Sequence, residues 1–166
     1  MNTWMGCAVA AGVQPGSVVN DFELPDETGT TRRLSDLLAT GPVVLFFYPA
    51  ALTPGCTAQS CHFRDLAAEF AEVGAQRVGI SRDPVARQKE FSERYRFDFP
   101  LLSDPDGTVA ARFGVTRRLA PGPLRTRRIT FVIDRDRRVL DVIHTEANME
   151  EHADRALRVL RGRSAT

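Results

Sequence analysis

The stretch GPVVLFFYP carries six apolar or aromatic residues in succession, Val43 to Tyr48, closed off by Pro42 and Pro49. An uninterrupted run of this length, without polar alternation, predicts a central strand covered on both faces, as in a mainly parallel sheet. AQRVGIS predicts a second buried strand, and RITFVIDRDRRVLDVIHT predicts two more joined by an Asp-Arg-Asp-Arg turn. Between them the period changes to that of helices. Residues 54 to 73 place Cys61, Leu66, Ala67, Phe70 and Val73 among charges, which predicts one helix of several turns. VARQKEFSERYRF is a further helix, with Asp83 as its cap and Pro84 in its first turn. NDFELPDETGTTRR predicts a hairpin, and Ser35 is placed to cap the short LSDLLAT helix after it. DFPLLSDPDG predicts a short extended segment ending in a turn, TVAARFGV a short helix, and residues 149 to 162 a closing amphipathic helix. The order is hairpin, strand, helix, strand, helix, short helix, hairpin, helix. With no repeat or low-complexity tract, it predicts one α/β domain over residues 13–163.

Composition narrows the class. The chain has 166 residues, 43% hydrophobic and 26% charged, within the usual range of a soluble globular domain. Twenty-two basic and 21 acidic residues leave a net charge of +1, so no overall field favours nucleic acid or an anionic membrane. The proline- and arginine-rich stretch TRRLAPGPLRTRR is the longest candidate loop, and its charges read as solvated. The opening MNTWMGCAVAAGV is apolar but lacks a basic leader and is too short to span a bilayer. Residues 1–12 are expected to be a flexible extension in which Cys7 is a free thiol. Three cysteines without a signal peptide argue against a secreted disulfide scaffold and fit a reducing cytoplasm.

The chemistry concentrates in TPGCTAQSC, residues 53 to 61, just past the carboxyl end of the best strand, where open α/β sheets place ligand sites. With Thr53 as N-cap and Pro54 as first helical residue, Cys56 is third, facing free backbone N–H groups and the positive end of the helix dipole, both of which favour a thiolate. Thr53 lies within reach of that sulfur or of a substrate on it, and Gly55 lets the backbone pass close to such a substrate. Cys61 follows five residues later, roughly 7.5 Å of rise and about 140° of rotation away on an ideal helix. A disulfide needs Cα atoms within about 7 Å and converging Cβ vectors, so the two thiols can bond only if the first turns unwind. A zinc site is short of ligands, because His62 adjoins Cys61 while His144 and His152 are distant in sequence. C-x-x-C is absent. Packing as a small hydrophobe suits Cys61 but not Cys56, whose threonine, proline and glycine neighbours have no packing reason to be there.

YPAALTPGC resembles the P-x-x-x-T-x-x-C signature of peroxiredoxins, with Pro49, Thr53 and Cys56 at its three fixed positions. The C-x4-C spacing, the following Phe63-Arg64-Asp65, the upstream DFELPD and the downstream FPLLSD are similar to the peroxiredoxin Q, or bacterioferritin comigratory protein, subgroup. The likeness runs from about residue 15 to residue 160. It implies a thioredoxin-like α/β fold with an N-terminal β-hairpin extension and an inserted helix. It also implies reduction of hydrogen peroxide and alkyl hydroperoxides with no cofactor, metal or haem. By the same resemblance, Cys56 would be the peroxidatic cysteine, passing through a sulfenic acid. Thr53 would hydrogen-bond the thiolate and the peroxide, and Pro49 would shield the pocket. Cys61 would be the resolving cysteine of an intrasubunit disulfide reduced by thioredoxin or a similar dithiol protein, in a monomer.

The family also places an arginine before a Ser/Thr-Phe pair, and in RRITFVID that position is Arg128. If the segment is a strand, Arg127 points to the opposite face. Guanidinium suits the role because it stays charged and offers two donors to a short oxyanion. The chain departs from many relatives at Ala50, Ala51 and Leu52, where they carry polar residues, and at Gln59, where they carry an acid. These departures bear on rate, peroxide preference and ease of unwinding. An alternative of a different class is a peroxide-sensing redox relay or thiol chaperone, in which sulfenylated Cys56 is the signal and turnover is incidental.

Overall fold

The computed structural model describes residues 12–117 and 119–164. The expected N-terminal extension, Cys7 included, lies outside the described residues apart from Gly12. In chain order the elements are β1 (Glu23–Pro25), β2 (Thr31–Arg33), α1 (Leu34–Leu38), β3 (Val43–Phe47), α2 (Pro54–Asp65), α3 (Ala67–Glu72), β4 (Gln76–Ser81), α4 (Val85–Tyr95), β5 (Leu101–Ser103), α5 (Thr108–Phe113), β6 (Ile129–Ile133), β7 (Val139–His144) and α6 (Glu151–Ser164), with a 3-10 turn at Gly122–Arg125 before β6. β1 and β2 form the expected antiparallel hairpin.

The apolar run forms β3, and it lies at the centre of a five-stranded sheet ordered β5-β4-β3-β6-β7. Because successive side chains of a strand face opposite ways, the run feeds two cores. Val43, Leu45 and Phe47 pack with Leu34, Leu37 and Leu38 of α1, Val109 and Phe113 of α5, and Phe22 ahead of the hairpin. Val44, Phe46 and Tyr48 pack with Phe63 of α2, Phe70 of α3, Phe91 of α4 and the Ala153, Ala156 and Leu157 face of α6. The sheet is mixed rather than mainly parallel: β3 is parallel to β4 and β4 to β5, but β6 runs antiparallel to both β3 and β7. A turn as short as Asp134–Arg138 can join only antiparallel neighbours, and this reversal brings the start of β6 beside the end of β3.

Three local expectations are corrected by contacts distant in sequence. Ser35 lies inside α1, and its N–H and hydroxyl both donate to the Asp21 carboxylate, at 2.9 and 2.7 Å. Asp83 does not cap α4, whose boundary residue is Pro84. Its carboxylate instead accepts the Ala51 N–H at 2.8 Å and the Ser81 hydroxyl at 2.6 Å, donors otherwise left bare at the sheet's edge. The helix over residues 54–73 is broken at Leu66, and its buried face is Cys56, Gln59, Ser60 and Phe63, with Cys61 only partly buried. The break follows from Arg77, whose guanidinium takes the Phe63 carbonyl at 2.8 Å and so ends α2 with a positive charge.

No helix among the described residues is long and apolar enough to cross a membrane. The Phe46 and Phe63 rings stack at 4.2 Å and 8°, fastening α2 to the middle of the sheet. Phe46→Ala is therefore expected to lower the unfolding free energy by about 3–5 kcal/mol in urea titration, and a loss below about 1 kcal/mol would show that the stack does not hold this layer.

Candidate active site

β3 ends at a buried edge, and residues 48 to 53 carry the chain from it into α2. Two bonds fix this loop. Ala51 N–H is held by Asp83, and the Thr53 hydroxyl donates to the Ala50 carbonyl at 2.7 Å. Between them Leu52 adopts φ +67, a conformation costing a branched residue about 1 kcal/mol or more and maintained here by its anchored neighbours. Asp83 belongs to a buried polar chain: Gln88 donates to the Ser81 hydroxyl at 2.9 Å and to the Leu102 carbonyl at 2.8 Å, and accepts from the Tyr48 hydroxyl. Burial holds the Tyr48 phenol well above its ordinary range, so it remains a neutral donor.

Thr53 is the boundary residue of α2 and Pro54 its first, which makes Cys56 the third helical residue, as the sequence predicts. The Thr53 side chain makes no capping hydrogen bond to the helix; its hydroxyl donates to the Ala50 carbonyl instead, and its oxygen keeps its capacity to accept. Cys56 is only 1% exposed. Its sulfur accepts a hydrogen bond from Nη2 of Arg128 at 3.4 Å. Arg128 reaches it because β6 pairs antiparallel with β3 so that Phe47 faces Ile129, leaving the residue before β6 beside the end of β3. Arg128 is buried and Arg127 exposed, although both precede β6 rather than lying in a strand.

The rest of the guanidinium is positioned by residues that the sequence did not single out for this task. Arg128 Nη1 donates to Gln59 Oε1 at 2.6 Å, one helical turn beyond Cys56, and its backbone N–H to Glu146 at 3.3 Å. Glu146 also pairs with Arg117 at 2.5 Å. His152, fully buried, bonds to the Thr145 carbonyl at 2.9 Å and to the Thr130 hydroxyl at 2.8 Å. A carbonyl only accepts, so Nε2 carries the proton and Nδ1 accepts from Thr130. Burial, reinforced by the charge of Arg128 and only partly countered by Thr145, lowers the imidazole pKa and keeps it neutral.

Gly55 has a steric reason. A Cβ there would lie 3.1 Å from Arg128 Nη2 and 3.7 Å from Met149 Sδ, so the missing side chain is what lets the guanidinium cross the helix start. Pro49 lines a groove of about 480 Å³ with Ala50, Arg82, Pro84, Pro105 and Arg125, and Cys56 is not part of its lining. Cys61 is on the same unbroken helix, and burial pushes its thiol up, so in this conformation it is a protonated thiol at neutral pH. His62 is paired with Asp154 at 2.7 Å. Among the described residues no group of three or more His, Cys, Asp or Glu side chains is placed to hold a metal.

The geometry thus places a guanidinium against a buried sulfur at the start of a helix. Comparisons with known proteins identify the family. The family model described as the AhpC/TSA family matches residues 15–142. The crystal structure of peroxidoxin BcpB from Mycobacterium tuberculosis is similar with a TM-score of 0.87 and 65% identity, over 90% of this chain and 97% of that one. The chloroplastic peroxiredoxin Q of Triticum aestivum is 40% identical over 152 residues, covering 92% of this chain and 69% of the relative. The Xanthomonas campestris bacterioferritin comigratory protein, solved in trapped intermediate and ligand complexes bearing on its alkyl peroxide reduction, has a TM-score of 0.77 and 31% identity, over 86% and 92% of the two chains. This chain belongs to the AhpC/TSA family and is a peroxiredoxin with the thioredoxin-like fold, a thiol peroxidase of the peroxiredoxin Q kind with two candidate cysteines, Cys56 and Cys61.

Proposed function

We propose that Cys56 is the peroxidatic cysteine and Cys61 the resolving one, and that hydrogen peroxide and alkyl hydroperoxides are the substrates. The observation that carries this is the contact of Arg128 Nη2 with the Cys56 sulfur inside a site closed to bulk water. A guanidinium there stabilises a thiolate and remains charged as the reaction proceeds. The Cys56 thiolate attacks the terminal peroxide oxygen, the O–O bond breaks, and the leaving oxygen departs as water or an alcohol after taking a proton. Sulfur is left as a sulfenic acid. Arg128 faces the charge that moves from sulfur to the leaving oxygen. Thr53 has given its own proton to Ala50, so its oxygen is free to accept the peroxide O–H and orient the attack. Pro49, which precedes the loop into α2, would screen the sulfur as the resemblance implies.

In the second step Cys61 closes a disulfide with Cys56. The helix that carries both must first unwind, since five residues of intact helix hold their sulfurs apart. Thioredoxin or a similar dithiol protein then restores both thiols, and the cycle belongs in the reducing cytoplasm, where such a reductant is available. The protein works as a monomer in this reading, as the resemblance to the peroxiredoxin Q subgroup implies.

Intact-mass analysis after one equivalent of hydrogen peroxide tests the scheme. The expected product has lost two hydrogens, mapped to Cys56 and Cys61. Cys56→Ser should abolish peroxide consumption, and Cys61→Ser should stop at the sulfenic acid without sustained turnover. A single turnover in the wild type with a thioredoxin system present would favour the sensor alternative. Arg128→Lys keeps the charge but cannot reach Gln59 and Cys56 together, and is expected to slow the first step by about 10²–10³, measured by stopped-flow competition for peroxide. An unchanged rate would remove Arg128 from the chemistry.

A further inference from the structure

The helix that must unwind is secured very unevenly along its length. Up to Ser60 the helix is held through Arg128, by Cys56 and Gln59 Oε1, but two buried atoms there, Gln59 Nε2 and Ser60 Oγ, have no hydrogen-bond partner among the described residues. Buried polar atoms without partners disfavour the folded conformation, and unwinding exposes them to water. The second half is tied at three successive residues. His62 Nε2 meets Asp154 Oδ1 of α6 at 2.7 Å. Phe63 stacks on Phe46, and its carbonyl accepts from Arg77, itself clamped by Asp98 at 2.9 and 2.6 Å. Arg64 Nη1 donates to the Tyr95 carbonyl at 2.7 Å. Cys61 is the residue immediately before the first of these ties.

We infer that the His62–Asp154 pair is the catch at which unwinding of α2 stops, and that its strength sets how long Cys56 stays seated before Cys61 can reach it. The inference rests on the reading of Cys61 as resolving cysteine. The step it controls is balanced within the chain: the Cys61 sulfur bonds to the Cys56 sulfenic sulfur, the S–O bond breaks, and the hydroxyl leaves with the Cys61 proton as water. Residues 54–61 can uncoil from a start held by Arg128 and Gln59, but Cys61 cannot turn toward Cys56 while the next residue is fixed to α6. The pair holds the peroxide-reactive form and delays closure. His62 and Asp154 are positioning residues, since neither touches the sulfurs, and their side chains are 23% and 44% exposed, so removing either leaves the core packed.

The test separates the two steps of the cycle. In rapid-quench alkylation with mass detection, His62→Ala and Asp154→Ala are each expected to speed Cys56–Cys61 closure about two- to fivefold, the worth of a partly exposed side-chain hydrogen bond. The double variant should be no faster than either single one, and Asp154→Glu should restore the slow rate. The rate of the first step should not change, and the peroxide dose that overoxidises Cys56 should rise. Closure rates equal to wild type or slower, or singles that multiply in the double variant, would overturn the inference. A wild type that forms no Cys56–Cys61 disulfide would instead overturn the assignment of Cys61 on which it rests.

Discussion

A guanidinium taken out of water must find acceptors for the N–H groups it brings with it, or the fold expels it. At Arg128 those acceptors are the Cys56 sulfur at 3.4 Å, Gln59 Oε1 at 2.6 Å and, for its backbone, the Glu146 carboxylate. Its Nε has no partner among the described residues, so the site holds its charge with little to spare. Because the acceptors on α2 include Gln59, an uncharged side chain, no carboxylate on that helix competes with the sulfur for the cation. Nearly everything around the site follows from bringing this one charge to that one sulfur. The antiparallel entry of β6 sets Arg128 beside the end of β3, Gly55 clears its path, and the strained Leu52 loop is pinned by Asp83 so that α2 starts where the cation arrives.

In the proposed cycle the same helix has to satisfy a second demand that opposes the first. Reaction with peroxide needs Cys56 buried against Arg128, whereas closing a disulfide to a cysteine five residues away needs the helix undone. The molecule divides the work along the chain. The turn around Cys56 carries buried polar atoms that lack partners among the described residues, while the turn after Cys61 is tied to α6, to the sheet and to the end of α4. The Phe46 and Phe63 stack sits on the tied side, so the core does not have to open when the catalytic turn does.

Much of this was legible in the chain. The run from Val43 to Tyr48 announced a doubly covered strand because no polar residue interrupts it, and Thr53, Pro54 and the position of Cys56 announced a helix start because capping and first-turn preferences act within a few residues. The resemblance of the Pro49, Thr53 and Cys56 pattern to peroxiredoxins carried the activity, and the spacing of Cys56 and Cys61 meant that a disulfide between them would need the helix to unwind. The expectations that fell were local guesses about side chains with competing partners. Ser35 was drawn to Asp21, Asp83 to the Ala51 N–H, and the long helix was cut where Arg77 takes the Phe63 carbonyl.

The division has a physical reason. Sequence by itself determined what depends on backbone preference and apolar period: the order of elements, the central strand, the helix beginning at Pro54, and the two thiols held apart on it. Tertiary structure alone decided which polar groups meet, since Arg128 reaches Cys56 across 72 residues and His62 reaches Asp154 across 92. Hydrogen bonds and ion pairs of that kind are short-ranged and directional, so they exist only after the sheet has fixed its register and the helices have docked upon it.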